Sequence, residues 1–164
     1  MYLNALEFLE EERDAWRPYE ALASIPDDRL DIPVEGAHGW SARDLMGHLV
    51  AWQEWGLAIA KELAVGETSA TAARMDAEWE ADGDAMNDAL TRRWRDLPAD
   101  EVRRRLLTVP GELRGYLTVV PESRWLKHPA HLQVFIDETI GHYEDHAADL
   151  EAILASAIPA TAAE

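Results

Sequence analysis

Apolar residues recur along this chain at intervals of three and four, and no stretch alternates with the period of two that marks a half-buried strand. The first stripe, through Leu3, Leu6, Leu9, Trp16, Tyr19 and Leu22, predicts a helix over about residues 3–25. Pro18 falls inside it, where the missing N–H and the ring favour a kink. Pro26-Asp27-Asp28 ends it, and a connector holding Pro33 follows.

The second helix has the sharpest start. In Trp40-Ser41-Ala42-Arg43-Asp44, Ser41 is a natural N-cap and Asp44 stands where a capping-box carboxylate belongs. Trp40 and Leu45 are spaced as a hydrophobic staple. The stripe continues through His48, Leu49, Trp52, Trp55, Ile59 and Leu63 to Val65-Gly66. A third helix is predicted over 69–97, with Met75, Trp79, Met86, Leu90 and Trp94 facing inward and Gly83 as its weak point. Pro98 opens a continuation through Arg105. Pro110, Gly111, Pro121 and Pro129 make 108–129 read as a short helix plus loop. The last helix is expected over 130–157, with Leu132, Phe135, Ile140, Tyr143, Leu150 and Ile153. Four long amphipathic helices, with one long connection between the third and fourth, predict an all-α four-helix bundle over 1–158 and a flexible tail over 159–164.

Composition narrows the function. The 164 residues are 48% hydrophobic, enough to bury a core without a covalent staple. Lys and Arg total 15 against 32 Asp and Glu, a formal charge of −17. A field of that sign repels nucleic-acid backbones and anionic membrane surfaces, so neither is an expected partner. The absence of cysteine removes disulfides, thiolate ligands and cysteine nucleophiles together. No apolar run approaches the ~18–20 residues of a membrane span. The N-terminus lacks the basic region of a secretory signal, which leads us to expect a cytoplasmic protein.

Histidines supply the candidate chemistry. His142 and His146 form a His-x-x-x-His pair that places two imidazoles on one face, one turn apart. His48 lies on the core face of the second helix, between Leu45 and Trp52. Bundles build their sites from side chains projecting inward from facing helices. Three imidazoles meeting there would offer three nitrogen ligands to a divalent ion and leave coordination positions open. The plainer alternative is that each is a hydrogen-bonded core or boundary histidine. His38, His128 and His131 sit in or beside loops and receive no role; Ser41 is a cap and not a nucleophile. Trp52, Trp55, Trp79 and Trp94 stand at core spacing, with Trp55 placed where it could also line a pocket mouth. The basic runs at 92–95 and 103–105 read as solvated faces paired to carboxylates, or as an anion site for a thiol cofactor.

Gly39-Trp40-Ser41-Ala42-Arg43-Asp44-Leu45, followed by Gly47-His48-Leu49 and Trp52, resembles the helix-two signature of the DinB-like superfamily of damage-inducible helical proteins. His142-Tyr143-Glu144-Asp145-His146 resembles its helix-four motif, and the spacing between the motifs is similar as well. The resemblance implies a four-helix bundle holding zinc or nickel on His48, His142 and His146, often as a homodimer. It also implies thiol chemistry, since relatives include S-transferases and isomerases that use mycothiol, bacillithiol or glutathione. In this chain the thiol would have to come from a low-molecular-weight cofactor. Asp44, Glu138 and Asp149, each within a turn of one of these histidines, are candidates to orient the imidazoles, or else belong to solvated faces. The expected function is a metal-dependent thiol S-transferase acting on a small electrophile in detoxification or stress response. Metal-dependent hydrolysis of a reactive small molecule and a non-catalytic binding or dimerisation bundle are the alternatives.

Overall fold

A computed structural model describes residues 2–157, and the described chain is all-helical. The expected tail at 159–164 lies outside the described residues. In chain order the helices are α1 (Ala5–Trp16), α2 (Asp27–Leu30), α3 (Ala42–Val65), α4 (Ala70–Arg95), α5 (Ala99–Leu117), α6 (Pro129–Asp137), α7 (Ile140–Asp145) and α8 (Ala147–Ala157). No described helix is long and apolar enough to cross a membrane.

Helix α3 is the centre of the molecule. It packs along α4 on one side and α5 on another, while α1 crosses α7 and α5, and α8 closes over the connector before α3. Its start is the capping box: Asp44 N–H donates to Ser41 Oγ at 3.2 Å, and Ser41 N–H donates to Asp44 Oδ2 at 3.0 Å. Two orphan donors are thereby satisfied, which fixes the first turn. Gly47 lets α4 come close, because a Cβ there would lie 2.6 Å from the Cβ of Trp94. The core threads through Phe8, Trp16, Trp125, Phe135 and Tyr143, all buried.

Four departures from the periodicity have physical causes. After α1 the chain tightens into a 3₁₀ segment, Arg17–Ser24, at Pro18. Leu3 and Leu6, placed on the inward stripe by spacing, are 81% and 62% exposed because the helix begins only at Ala5 and turns its other side to the core. In α4 the backbone breaks at Asp82 (φ −168°, ψ 88°), beside the expected weak point at Gly83, and Asp82 Oδ1 caps the new start by accepting from Ala85 N–H at 2.9 Å. Trp79, marked as core by its spacing, stands three residues before this break, lines a cavity edge-on to Trp52 and is 51% exposed. The fourth departure is α5, which continues through Pro110 where a short helix plus loop was expected. Val102, Leu106, Val109, Leu113 and Leu117 make one continuous buried stripe, and its burial outweighs the hydrogen bond that proline removes. The long connection is thus largely helix, with the irregular part confined to 118–128.

The final helical stretch is three segments and not one. Thr139 (φ −131°, ψ −100°) separates α6 from α7, and His146 (φ −103°, ψ 10°) separates α7 from α8. The i, i+4 bond from His146 N–H to the His142 carbonyl survives at 3.3 Å, so the two histidines still face the same way.

Candidate metal centre

His48 comes from α3, one turn after its capping box; His142 comes from α7 and His146 from its C-terminal end. The three imidazoles meet at the floor of one cavity, with ligand nitrogens all within 4.8 Å of one another. His48 Nε2 and His142 Nε2 are 2.8 Å apart, and the two rings are nearly perpendicular at 88°. Trp40 walls the cluster, its indole stacked on His146 (centroids 5.2 Å, 23°) and edge-on to His48 (4.8 Å). A left-handed pair, His38 (φ 54°) and Gly39 (φ 82°), turns the chain so that Trp40 reaches this position.

Burial, reinforced by the neighbouring imidazoles, pushes His48 down to about 2 and His142 down to about 4. Both rings are therefore neutral at physiological pH and keep a lone pair to donate. His146 is oriented from behind. Its Nδ1–H donates to the buried Asp149 Oδ2 at 2.8 Å, which leaves its Nε2 as the free donor. Buried His48 Nδ1 has no hydrogen-bond partner among the described residues, so nothing in the protein competes for this ring's orientation. Three imidazole nitrogens converging on a common point fit the requirements of a divalent ion such as zinc or nickel.

The other carboxylates singled out by spacing lie differently. Asp44 touches no imidazole: its oxygens accept from Ser41 and, at 2.8 Å, from Arg95 Nε. Burial opposes its ionisation, but the Arg95 and Ser41 hydrogen bonds hold it below the usual carboxylate range. Glu138 lines the cavity one turn before His142, only 7% exposed and without a hydrogen-bond partner among the described residues. Burial, aided by the charges of Asp137 and Asp76, pushes it up to about 8.

The cavity encloses about 550 Å³. Trp52 and Trp79, edge-on to each other at 5.6 Å, form its wall opposite Trp40, and Asn87 holds the Trp52 Nε1–H at 3.0 Å. Trp55, at core spacing and with a pocket mouth as its other option, is half-buried and stands outside this lining with the Arg74 guanidinium 4.9 Å over its ring. The basic runs are spent elsewhere. Arg95 binds Asp44, Arg103 binds Asp27, and Arg104 and Arg105 share Glu101.

Residue spacing did not single out the polar network behind the cluster. Tyr143 OH donates to Glu12 Oε1 at 2.8 Å and accepts from Gln53 Nε2 at 2.6 Å, while Arg114 Nη1 donates to Glu12 Oε2 at 2.7 Å. Tyr19 OH donates to the Tyr143 carbonyl, bracing α7 next to His142. A signal was present, since Glu12 occupies an apolar-face position between Phe8 and Trp16, where a carboxylate needs a buried partner. His38 was likewise given no role, yet its Nε2 lies 3.8 Å from Asp149 Oδ1.

Comparison with known proteins agrees with this architecture over most of the chain. Residues 9–147 match the family model described as the mycothiol maleylpyruvate isomerase N-terminal domain, a DinB-like helical domain linked to mycothiol-dependent enzymes. Neither the curated proteins nor the solved structures contain a match.

Proposed function

From the premise that the chain belongs to the mycothiol maleylpyruvate isomerase N-terminal domain family, we propose that it is a divalent-metal-dependent enzyme that transfers a low-molecular-weight thiol to a small electrophile. The convergence of His48, His142 and His146 at the floor of a cavity carries this reading. We also read α1, α3, α4 and the α6–α8 stretch as the four helices of a DinB-like bundle, with α5 lying in the connection between the third and fourth.

His48, His142 and His146 would hold the ion, zinc or nickel. An ion held there supplies Lewis acidity that lowers the pKa of a thiol brought to it. Imidazole ligands bring no negative charge, so they would leave the ion's charge undiminished. Asp149 fixes the His146 tautomer, and the Tyr19–Tyr143 bond keeps α7 in register. Trp40 and Trp52 shield the cluster from bulk water. Glu138, nearly dry and poised near neutrality, is placed to take or return the thiol proton.

The test is metal content by mass spectrometry on tag-free protein, beside a His142→Ala/His146→Ala variant. About one ion per chain in the parent and none in the variant, together with metal-dependent thiol consumption, is expected. A parent that neither carries nor takes up zinc or nickel overturns the reading.

A further inference from the structure

Every charged side chain that lines the cavity is acidic. Glu138 is more than nine-tenths buried, has no hydrogen-bond partner among the described residues, and lines the interior. Asp76, Asp137 and Asp145 stand exposed around the rim. No Lys or Arg is among the described lining residues, and the nearby guanidiniums of Arg74 and Arg95 are occupied with Trp55 and Asp44. The remaining walls are indoles, from Trp40, Trp52 and Trp79.

We propose that the small molecule admitted to this cavity carries a positive charge, as an ammonium or quaternary ammonium group, and no carboxylate or phosphate. The inference rests on the cavity being the reactive site proposed above and names the class of substrate it takes. A cleft lined by one sign of charge concentrates the field along its opening and draws in the opposite charge. Indole faces attract cations through the ring quadrupole, most strongly where water is excluded. A buried carboxylate without a donor has an unmet demand that a cation fulfils. Glu138 is held up near 8 by burial and by its acidic neighbours, and a positive charge seated beside it would let it ionise at neutral pH. An anionic ligand meets repulsion at the rim and no guanidinium or ammonium among the described lining residues, so an ion held on the three histidines would be the one positive charge to receive it.

Three thiols of matched length and different charge test this on cobalt(II)-loaded protein, with the sulfur-to-cobalt absorption band as readout. Thiocholine is cationic, 2-mercaptoethanol neutral and 2-mercaptoethanesulfonate anionic. Thiocholine is expected to bind about tenfold more tightly than 2-mercaptoethanesulfonate, with 2-mercaptoethanol between them. Added salt and Glu138→Gln should each narrow the gap. Equal or tighter binding of the anionic thiol overturns the inference. Should the protein hold no cobalt, the metal reading fails, and the charge preference is then read from quenching of tryptophan fluorescence by choline against isethionate. Binding of choline over isethionate sustains the inference, and any other result overturns it.

Discussion

Asp149 Oδ2 lies 2.8 Å from His146 Nδ1, three residues earlier in the chain, and this contact decides which nitrogen of His146 faces the cluster. A carboxylate can only accept, so the proton sits on Nδ1 and the lone pair on Nε2. His146 stands at the break between α7 and α8, and Asp149 lies in the first turn of α8, at the i, i+3 spacing that brings side chains together.

Removing that acceptor should loosen the site without dismantling it. Asp149→Ala is expected to weaken zinc binding by roughly 10- to 100-fold, in line with other groups that orient a metal-bound histidine. Asp149→Asn, whose amide oxygen can still accept, should lose less. Competition against a chromophoric chelator gives both affinities, and an Ala variant with unchanged affinity would count against the orienting role.

Metal loading should also register as stability. An ion that binds only the folded chain, at a free concentration 100 times its dissociation constant, adds about 2.7 kcal/mol. Zinc is therefore expected to raise the melting temperature of the parent protein and leave that of His142→Ala/His146→Ala unmoved.

Glu138 sets a pH dependence of defined sign. Its folded value, raised to about 8 from 4.5, means that the native state holds more protons than the unfolded state between those values. Its contribution to stability is complete below pH 4.5 and is lost as pH rises through about 8, with a slope of at most about 1.4 kcal/mol per pH unit. His48 and His142, held down to about 2 and about 4, add the opposite slope below pH 6.5. In urea unfolding of chelator-treated protein the decline should show directly between about pH 6.5 and 8, and below that as a falling difference between the parent and Glu138→Gln. A parallel pH profile for the two proteins would refute the assignment.

Gly47→Ala tests the close approach of α3 and α4. Alanine favours a helix by about 1 kcal/mol over glycine, but here its methyl would meet the Trp94 Cβ at 2.6 Å. Forcing the helices apart should win, giving a net loss of roughly 1–3 kcal/mol in denaturant unfolding. A stabilised variant would show that the helices can part without cost.

Much of this architecture was legible along the chain because its signals are local. Ser41 and Asp44 announce the start of α3, and the stripe from Leu45 to Leu63 announces its buried side. The meeting of His48 with His142 and His146 was readable from their places on apolar faces, together with the motif resemblance. What escaped depends on contacts distant in sequence. Pro110 argued locally for a loop, and only the burial of Val109 and Leu113 against α3 keeps α5 whole. Trp79 stands at the cavity beside Trp52 and not in the core, a contact with a residue 27 positions away. Asp44 sits one turn from His48, yet Arg95, 51 positions away, claims the carboxylate oxygen that the capping box leaves free. Gly141, two residues after Thr139, is the one local sign that the last helix divides, and His146 carries none.

Glu12, Gln53, Arg114 and Tyr143 come from α1, α3, α5 and α7, and hydrogen bonds join them from the buried Tyr143 hydroxyl out to the partly exposed Arg114 guanidinium. No single member can be exchanged for an apolar residue without stranding a buried polar partner. Evolution therefore has two routes through these positions: keep all four, or replace them together with a set that packs dry. Related chains should accordingly vary here in concert, and a design that grafts a new pocket onto this scaffold would do best to inherit the quartet whole.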